Sequence, residues 1–206
     1  TTDILNENSL EHLHRYAIAA ELAHNKNVLD IACGEGYGTG LIAQNALKVT
    51  GIDIDEITIK EAKKKYRNSN LEFHTSDICD IPIPDGSFDL IVCFETIEHL
   101  ENQIKALSEL KRVLKKDGIL LISTPNKAEY SDKPNYINPH HKKELYYHEF
   151  HQLLKINFNN VQIFTQNISY TSLIKTNEKE YLTLYNGNFQ LIEKNSQLEP
   201  MYFLAI

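Results

Sequence analysis

A glycine-dense turn between an apolar strand and a helix constrains this chain more than any other stretch. Val28, Leu29 and Ile31 read as a short buried parallel strand, glycines follow at positions 34, 36, 38 and 40, and Leu41, Ile42, Ala43 and Leu47 supply an apolar helix face. Such a unit brings bare backbone to the carboxyl end of a strand, where a nucleotide lies. The 206 residues suffice for one well-buried α/β core, and no linker-like run divides them. We expect a single domain over residues 1–206, with a leading helix inside 1–25 and an insertion over 166–200 before the last strand.

The remaining pattern alternates strands and helices. Leu10, Leu13, Ala17, Ile18 and Leu22, with Ser9 placed as a cap, predict a helix over 9–24. Strands are predicted over 49–54, 71–74, 88–94, 119–123, 161–164 and 201–206. Helical spacing recurs over 57–66, 107–114 and 147–154, and Asp117-Gly118 is the expected stop of the second of these. Lys63, Lys64, Lys65 and Arg67 fit a helix carboxyl end better than a partner surface. Asn186-Gly187, flanked by runs over 181–185 and 189–192, suggests a hairpin turn. The alternation is that of a doubly wound parallel sheet.

The formal net charge of −7 argues against a large nucleic-acid footprint, which needs a basic stripe to neutralise phosphates, and leaves room only for a small site for one strand end. Cys33, Cys79 and Cys93 form no paired or zinc-type spacing, which fits a reducing cytoplasm. No basic-then-apolar leader opens the chain and no apolar run reaches bilayer length, so membrane insertion is not expected.

A dinucleotide loop would read G-x-G-x-x-G, but Thr39 stands where its third glycine belongs. Asp53, about 20 residues beyond the loop, suits both ribose hydroxyls of either NAD or S-adenosylmethionine (SAM). Further segments separate the two. Asp30-Ile-Ala-Cys-Gly34-Glu-Gly36-Tyr-Gly38, Asp53, Ser76-Asp77-Ile78 and Leu110-Lys-Arg-Val-Leu-Lys-Lys-Asp-Gly118 stand in the order and spacing of class I SAM-dependent methyltransferases, which the chain resembles over nearly its whole length. The family's usual first glycine is Ala32 here.

This resemblance implies a Rossmann-like, seven-stranded, mostly parallel sheet of order 3-2-1-4-5-7-6 with helices on both faces, the 201–206 segment being the antiparallel seventh strand. It implies SAM as cofactor, with S-adenosylhomocysteine (SAH) as product. The implied cofactor residues are Tyr16, Asp30, Ala32, Gly34, Gly36, Asp53, Ile54, Asp77, Ile78 and Phe94. Asp30 would help fix the ammonium group and Asp77 the adenine amino group. Arg15 and Tyr16 would close over the cofactor carboxylate.

Past the fourth strand, Glu95-Thr-Ile-Glu98-His99 sets two carboxylates and an imidazole at i, i+3 and i+4, one face of a helical turn. Such a set suits Mg2+ or Mn2+. The E-x-x-E-H pattern resembles metal-dependent O-methyltransferases, including small-RNA 3′-terminal ribose methyltransferases and ubiquinone-pathway enzymes. In the RNA group a later His completes the site. His141-Lys-Lys-Glu144-Leu-Tyr-Tyr-His148-Glu149-Phe150 keeps that spacing, so the metal set reads Glu95, Glu98, His99 and His141, with His140 one residue out of register. His99, His140 and Glu95 are the candidates for catalysis and proton transfer. In a competing reading Glu98 and His99 cap a helix, because E-H-L also stands here in methyltransferases without a known metal.

The leading Glu11-His-Leu-His-Arg-Tyr16 and the Ser123-Thr-Pro-Asn126 and Asn138-Pro-His140 segments resemble methyltransferases of bacterial surface-polysaccharide clusters. This implies a sugar O-methyltransferase acting on a glycan or a small glycan precursor. The alternatives are a terminal ribose 2′-O-methyltransferase on RNA, a quinol or other small-molecule O-methyltransferase, and a SAM-binding subunit without turnover.

Overall fold

The computed structural model describes residues 7–168, 184–187, 192–195 and 201–206, with side chains over 10–168 and 201–206. Helix α1 (Glu7–Leu22) precedes strand β1 (Asn27–Ile31), α2 (Tyr37–Ile42), β2 (Lys48–Asp53), α3 (Glu56–Lys65) and β3 (Leu71–Thr75). Then come β4 (Phe88–Cys93), a 3-10 turn (Ile97–His99), α4 (Gln103–Val113), β5 (Leu114–Pro125) and a π-helical turn (Ala128–Asp132). Helix α5 (Tyr147–Asn157), β6 (Ile163–Gln166), β7 (Leu184–Gly187), β8 (Ile192–Asn195) and β9 (Tyr202–Ala205) complete the described elements.

Seven strands form one sheet in the order β3-β2-β1-β4-β5-β9-β6, so the expected 3-2-1-4-5-7-6 arrangement is found with β9 in the seventh strand's place. The first five pair in parallel, and β9 runs antiparallel between β5 and β6. Both faces of the central strands are buried, which is why these strands read as continuous apolar runs. Leu29 and Ile31 pack with Leu107, Leu110, Phe150 and Leu154 of α4 and α5. Val28 turns the other way, to Tyr16, Ala19 and Ile42 of α1 and α2. Asp55 caps α3 by accepting from the amides of Ile57 and Thr58 at 2.8 and 3.4 Å, and Lys63, Lys64 and Lys65 close its last turn, as the charge pattern indicated.

Several boundaries differ from expectation. Ser9 lies inside α1, so it is not the cap. Leu47 lies beyond α2 and is exposed, since α2 closes at Ile42. Helix α4 stops at Val113 rather than at Asp117-Gly118, because Leu114 already pairs with Phe88 and the chain is extended from there. Asn186 and Gly187 lie within β7, where Gly187 pairs with Ile192, so they are not the hairpin's turn. The rest of that hairpin, and most of the insertion over 166–200, falls outside the described residues. Among the described residues no helix is long and apolar enough to cross a membrane.

Candidate functional site

The carboxyl ends of the adjacent strands β1 and β4 carry two non-glycine residues in the left-handed region, Ala32 at φ 58° and Glu95 at φ 46°. Each such residue costs about 1 kcal/mol, and such strain gathers where a site dictates the backbone. At Ala32 the conformation explains why a glycine is usual there. Ala32→Gly is expected to raise the unfolding free energy by about 0.5–1 kcal/mol, the relief of strain outweighing glycine's entropy. Urea denaturation checks this, and a loss of stability would contradict it.

Within the loop, the glycines have separate reasons. At Gly34, φ is 52° and a Cβ would meet nothing within 4 Å, so its backbone borders open space. Its amide donates to Asp53 Oδ2 at 2.9 Å, which ties the loop to the end of β2, while Asp53 Oδ1 accepts from the Asp55 amide. Gly38 serves the protein's own packing, because a Cβ there would lie 2.0 Å from the Tyr16 ring. That ring also packs edge-to-face on Phe94 at 5.1 Å. Tyr16 and Phe94, expected at the cofactor, are thus core residues, 5% and 6% exposed.

Asp30 is fully buried. Thr39 Oγ1 donates to its Oδ2 at 2.6 Å and Tyr16 OH to its Oδ1 at 3.3 Å. Burial outweighs these bonds and pushes its carboxyl up to about 7. Thr39 therefore stands at the missing dinucleotide glycine as a partner for Asp30. Asp77, beyond β3, is exposed and caps its own turn by accepting from the Cys79 amide at 2.8 Å, while Ile78 is buried. Ile54, just beyond Asp53, is exposed.

At the end of β4 the expected four-residue set divides. Glu95 lies outside the 3-10 turn, and its Oε1 accepts from Ser123 Oγ at 2.6 Å and pairs with Arg15 Nη1 at 3.3 Å. Arg15 is 1% exposed, donates to Gln166 Oε1 at 3.1 Å and lies over the Tyr202 ring at 4.9 Å. It holds Glu95 rather than meeting solvent over the loop.

Ligand atoms of Glu98, His99 and His141 lie within 4.8 Å of one another. Glu98 is buried, and its Oε2 accepts from Thr124 Oγ1 at 3.0 Å. Burial, and then the nearby Glu95 carboxylate, push it up to about 8. His99 Nδ1 lies 2.9 Å from the carbonyl oxygen of His140. A carbonyl only accepts, so Nδ1 carries the hydrogen and Nε2 the lone pair. His140 contributes this carbonyl, while its side chain is exposed.

His141 is braced on both ring nitrogens, Nδ1 by Glu144 Oε1 at 2.6 Å and Nε2 by Asn138 Nδ2 at 3.0 Å, and Tyr130 stacks on its ring. Gln103 Nε2 donates to the carbonyls of Ile97 and Lys143, both at 2.9 Å. The amides of Lys142 and Lys143 donate to the Glu98 carbonyl. These bonds dock the 138–144 segment on the 3-10 turn. The sequence reading missed Gln103 and Tyr130, took Thr124 only as part of Ser123-Thr-Pro-Asn126 and gave Glu144 no partner, for none carries a motif of its own. Asn138 was legible only as part of Asn138-Pro-His140.

The sheet order and the loop at its carboxyl edge are those of a class I methyltransferase fold, and residues 29–122 match the family described as "Methyltransferase domain". Residues 29–122 are thus similar to a methyltransferase domain, and relatives of the chain carry the name S-adenosylmethionine-dependent methyltransferase. The chain is 40% identical over 140 residues to "Probable S-adenosylmethionine-dependent methyltransferase" of Mycolicibacterium smegmatis, covering 65% of this chain and 53% of that one. A "Fatty-acid O-methyltransferase" of the same organism is 30% identical over 148 residues, covering 70% and 50%. The crystal structure of a SAM dependent methyltransferase from Archaeoglobus fulgidus aligns with TM-score 0.63 and 25% identity, over 81% of this chain and 80% of that chain. The chain spans about half the length of the curated relatives it matches.

Proposed function

We propose that the chain transfers the methyl group of SAM to a hydroxyl oxygen of a sugar, in a glycan or a glycan precursor, with a divalent cation held by Glu98, His99 and His141. The observation that carries this reading is the convergence of those three side chains within 4.8 Å at the carboxyl end of β4. The donor set fits a cation on two grounds. A buried carboxyl pushed up to about 8 lacks compensation for its ionised form, which a cation supplies. Hydrogen bonds from Nδ1 to the His140 carbonyl and to Glu144 commit both imidazoles to presenting Nε2, the backing found behind metal-bound histidines. Asn138 would give way at His141.

When bound, the cation supplies Lewis acidity that lowers the hydroxyl's pKa. The chain's own residues hold the reacting groups for in-line displacement. Gly34 offers open backbone and Asp53 a carboxylate toward the donor's ribose, with Ile54, Asp77 and Ile78 on its nucleoside side. His99, 40% exposed at its side chain, faces the acceptor most openly, and its Nε2 serves as ligand or as proton acceptor. The captured Glu95 and the exposed His140 take neither role in this arrangement. An oxygen acceptor accords with the fatty-acid O-methyltransferase relative, and an uncharged sugar accords with a net charge of −7.

Labelled-methyl transfer to sugar, RNA and catechol acceptors, with Mg2+ or Mn2+ and after chelation, tests the reading. Glu98→Gln and chelation are each expected to reduce transfer to sugars by about 100-fold, the scale of losing a Lewis-acid contact, with SAH affinity kept. Full activity after exhaustive chelation would sink the cation. Transfer confined to RNA or catechols would sink the sugar.

A further inference from the structure

A cleft of about 490 Å³ opens beside the end of β5, framed by Asn126, Tyr147, His148, Thr165 and Phe203. It lies at the carboxyl end of the sheet, as the Glu98–His141 cluster does, but on the side of β9 and β6. Tyr147 opens α5 and is 52% exposed. Its ring is nevertheless fixed, edge-to-face on Phe203 at 5.5 Å and parallel to His151 at 6.4 Å. A fixed aromatic ring left half open is a preformed platform for a ligand face, since covering it removes apolar area from water at little entropic cost.

The rest of the lining narrows the ligand's chemistry. Asn126, His148 and Thr165 bring amide, imidazole and hydroxyl groups around the aromatic floor, and among the described residues no Lys, Arg, Asp or Glu lines the cleft. Lys127, over the ring of the lining Tyr146, already pairs with Asp132 at 3.8 Å, so among the described residues a phosphate or carboxylate finds no free counter-charge in the cleft. An uncharged ring with one C–H face and a hydroxyl edge matches both parts, which is the chemistry of a pyranose.

The cleft is also tied to the cluster through one strip of chain. Asn126 forms a parallel bridge with Leu145, and the Lys127 amide donates to the Leu145 carbonyl at 3.1 Å. His141 and Tyr147 stand on either side of Leu145. Six residues of chain reach at most about 20 Å, which lies within the span of a short oligosaccharide.

We propose that this cleft is a subsite for a second sugar ring of the acceptor, stacked on Tyr147, so that the preferred acceptor is an oligosaccharide rather than a monosaccharide. The proposal rests on the sugar O-methyl reading above. Tyr147 acts here on specificity and touches no reacting atom.

The chain contains no Trp, so Tyr147→Trp places a single reporter in the cleft. Neutral trisaccharides and the methyl glycosides of their component sugars, titrated without SAM, are expected to shift its emission, the trisaccharides at least tenfold more tightly. In Tyr147→Ala, KM for a trisaccharide acceptor is expected to rise at least tenfold, with kcat, SAH affinity and KM for the monosaccharide unchanged; Tyr147→Phe should behave as wild type. Emission unmoved by every trisaccharide, or an unchanged trisaccharide KM in Tyr147→Ala, overturns the subsite. Trisaccharide binding without methyl transfer would instead uphold the subsite and sink the O-methyl reading.

Discussion

Arg15→Met is expected to lower the unfolding free energy by about 3 kcal/mol, the lower end of what breaking a buried ion pair costs. The guanidinium is 1% exposed, and its partner Glu95 is 16% exposed and held in the left-handed region. Removing the cation leaves that carboxylate with Ser123 as its partner and takes the cation from above the Tyr202 ring, while Met keeps most of the volume. Because the damage is an uncompensated charge, Arg15→Met/Glu95→Met should recover part of the loss. Urea unfolding of both single variants and the double variant, as a cycle, measures this. A loss below about 1 kcal/mol in Arg15→Met would mean that water already serves Glu95. The pair joins α1 to the end of β4, so SAH affinity should fall with it if α1 shapes the donor site.

Arg15 and Glu95 also mark where sequence reading reaches its limit. The strands and their parallel alternation followed from apolar runs and glycine turns, because each strand's burial is written in its own residues and the connections between parallel strands are local, whereas the sheet order was implied by the resemblance to class I SAM-dependent methyltransferases. The glycine loop was legible for the same reason, and Ala32 at its usual-glycine position proves to be a residue with positive φ. Glu95, Glu98 and His99 were legible as a group, but their division was not. It is made by Arg15, 80 positions before Glu95, and by Ser123, 28 positions after it, and no short-range pattern records such pairings.

His141 was found through its spacing to Glu144 and Phe150, whereas its bracing by Asn138 and Tyr130 depends on how the 138–144 segment folds back on the 3-10 turn. Tyr16 and Phe94 were named as cofactor residues through the family resemblance. The Tyr16 ring fills the space that Gly38 leaves without a Cβ, and Phe94 packs edge-to-face on it, a packing role that the sequence did not show. The end of α4 was misread because Asp117-Gly118 is a strong turn signal, yet pairing of Leu114 with Phe88 had already drawn the chain into the sheet.

The Asp30 carboxyl should make stability fall as pH rises through the neutral range, and Asp30→Asn should abolish that fall. In the folded chain burial raises its pKa from 3.8 to about 7. Below pH 3.8 folded and unfolded states both carry the proton, and the buried neutral acid contributes fully. Between 3.8 and about 7 the unfolded chain ionises while the folded one does not, so stability declines by about 1.4 kcal/mol per pH unit. Above about 7 both states are ionised, and the accumulated loss reaches about 4 kcal/mol.

Asn at position 30 stays neutral and still accepts through its amide oxygen, and the hydroxyls of Thr39 and Tyr16 can each turn to accept from its amide nitrogen. Asp30→Asn should therefore gain on wild type by about 2.5 kcal/mol between pH 5 and pH 8, measured as the difference in urea-unfolding free energy. Parallel pH profiles of the two proteins would show that Asp30 is ionised in the fold throughout, with Thr39 and Tyr16 supplying enough hydrogen bonding to offset its burial. A converging profile would place the proton on Asp30 and make the first acidic residue of the glycine loop, at neutral pH, half a hydrogen-bond donor.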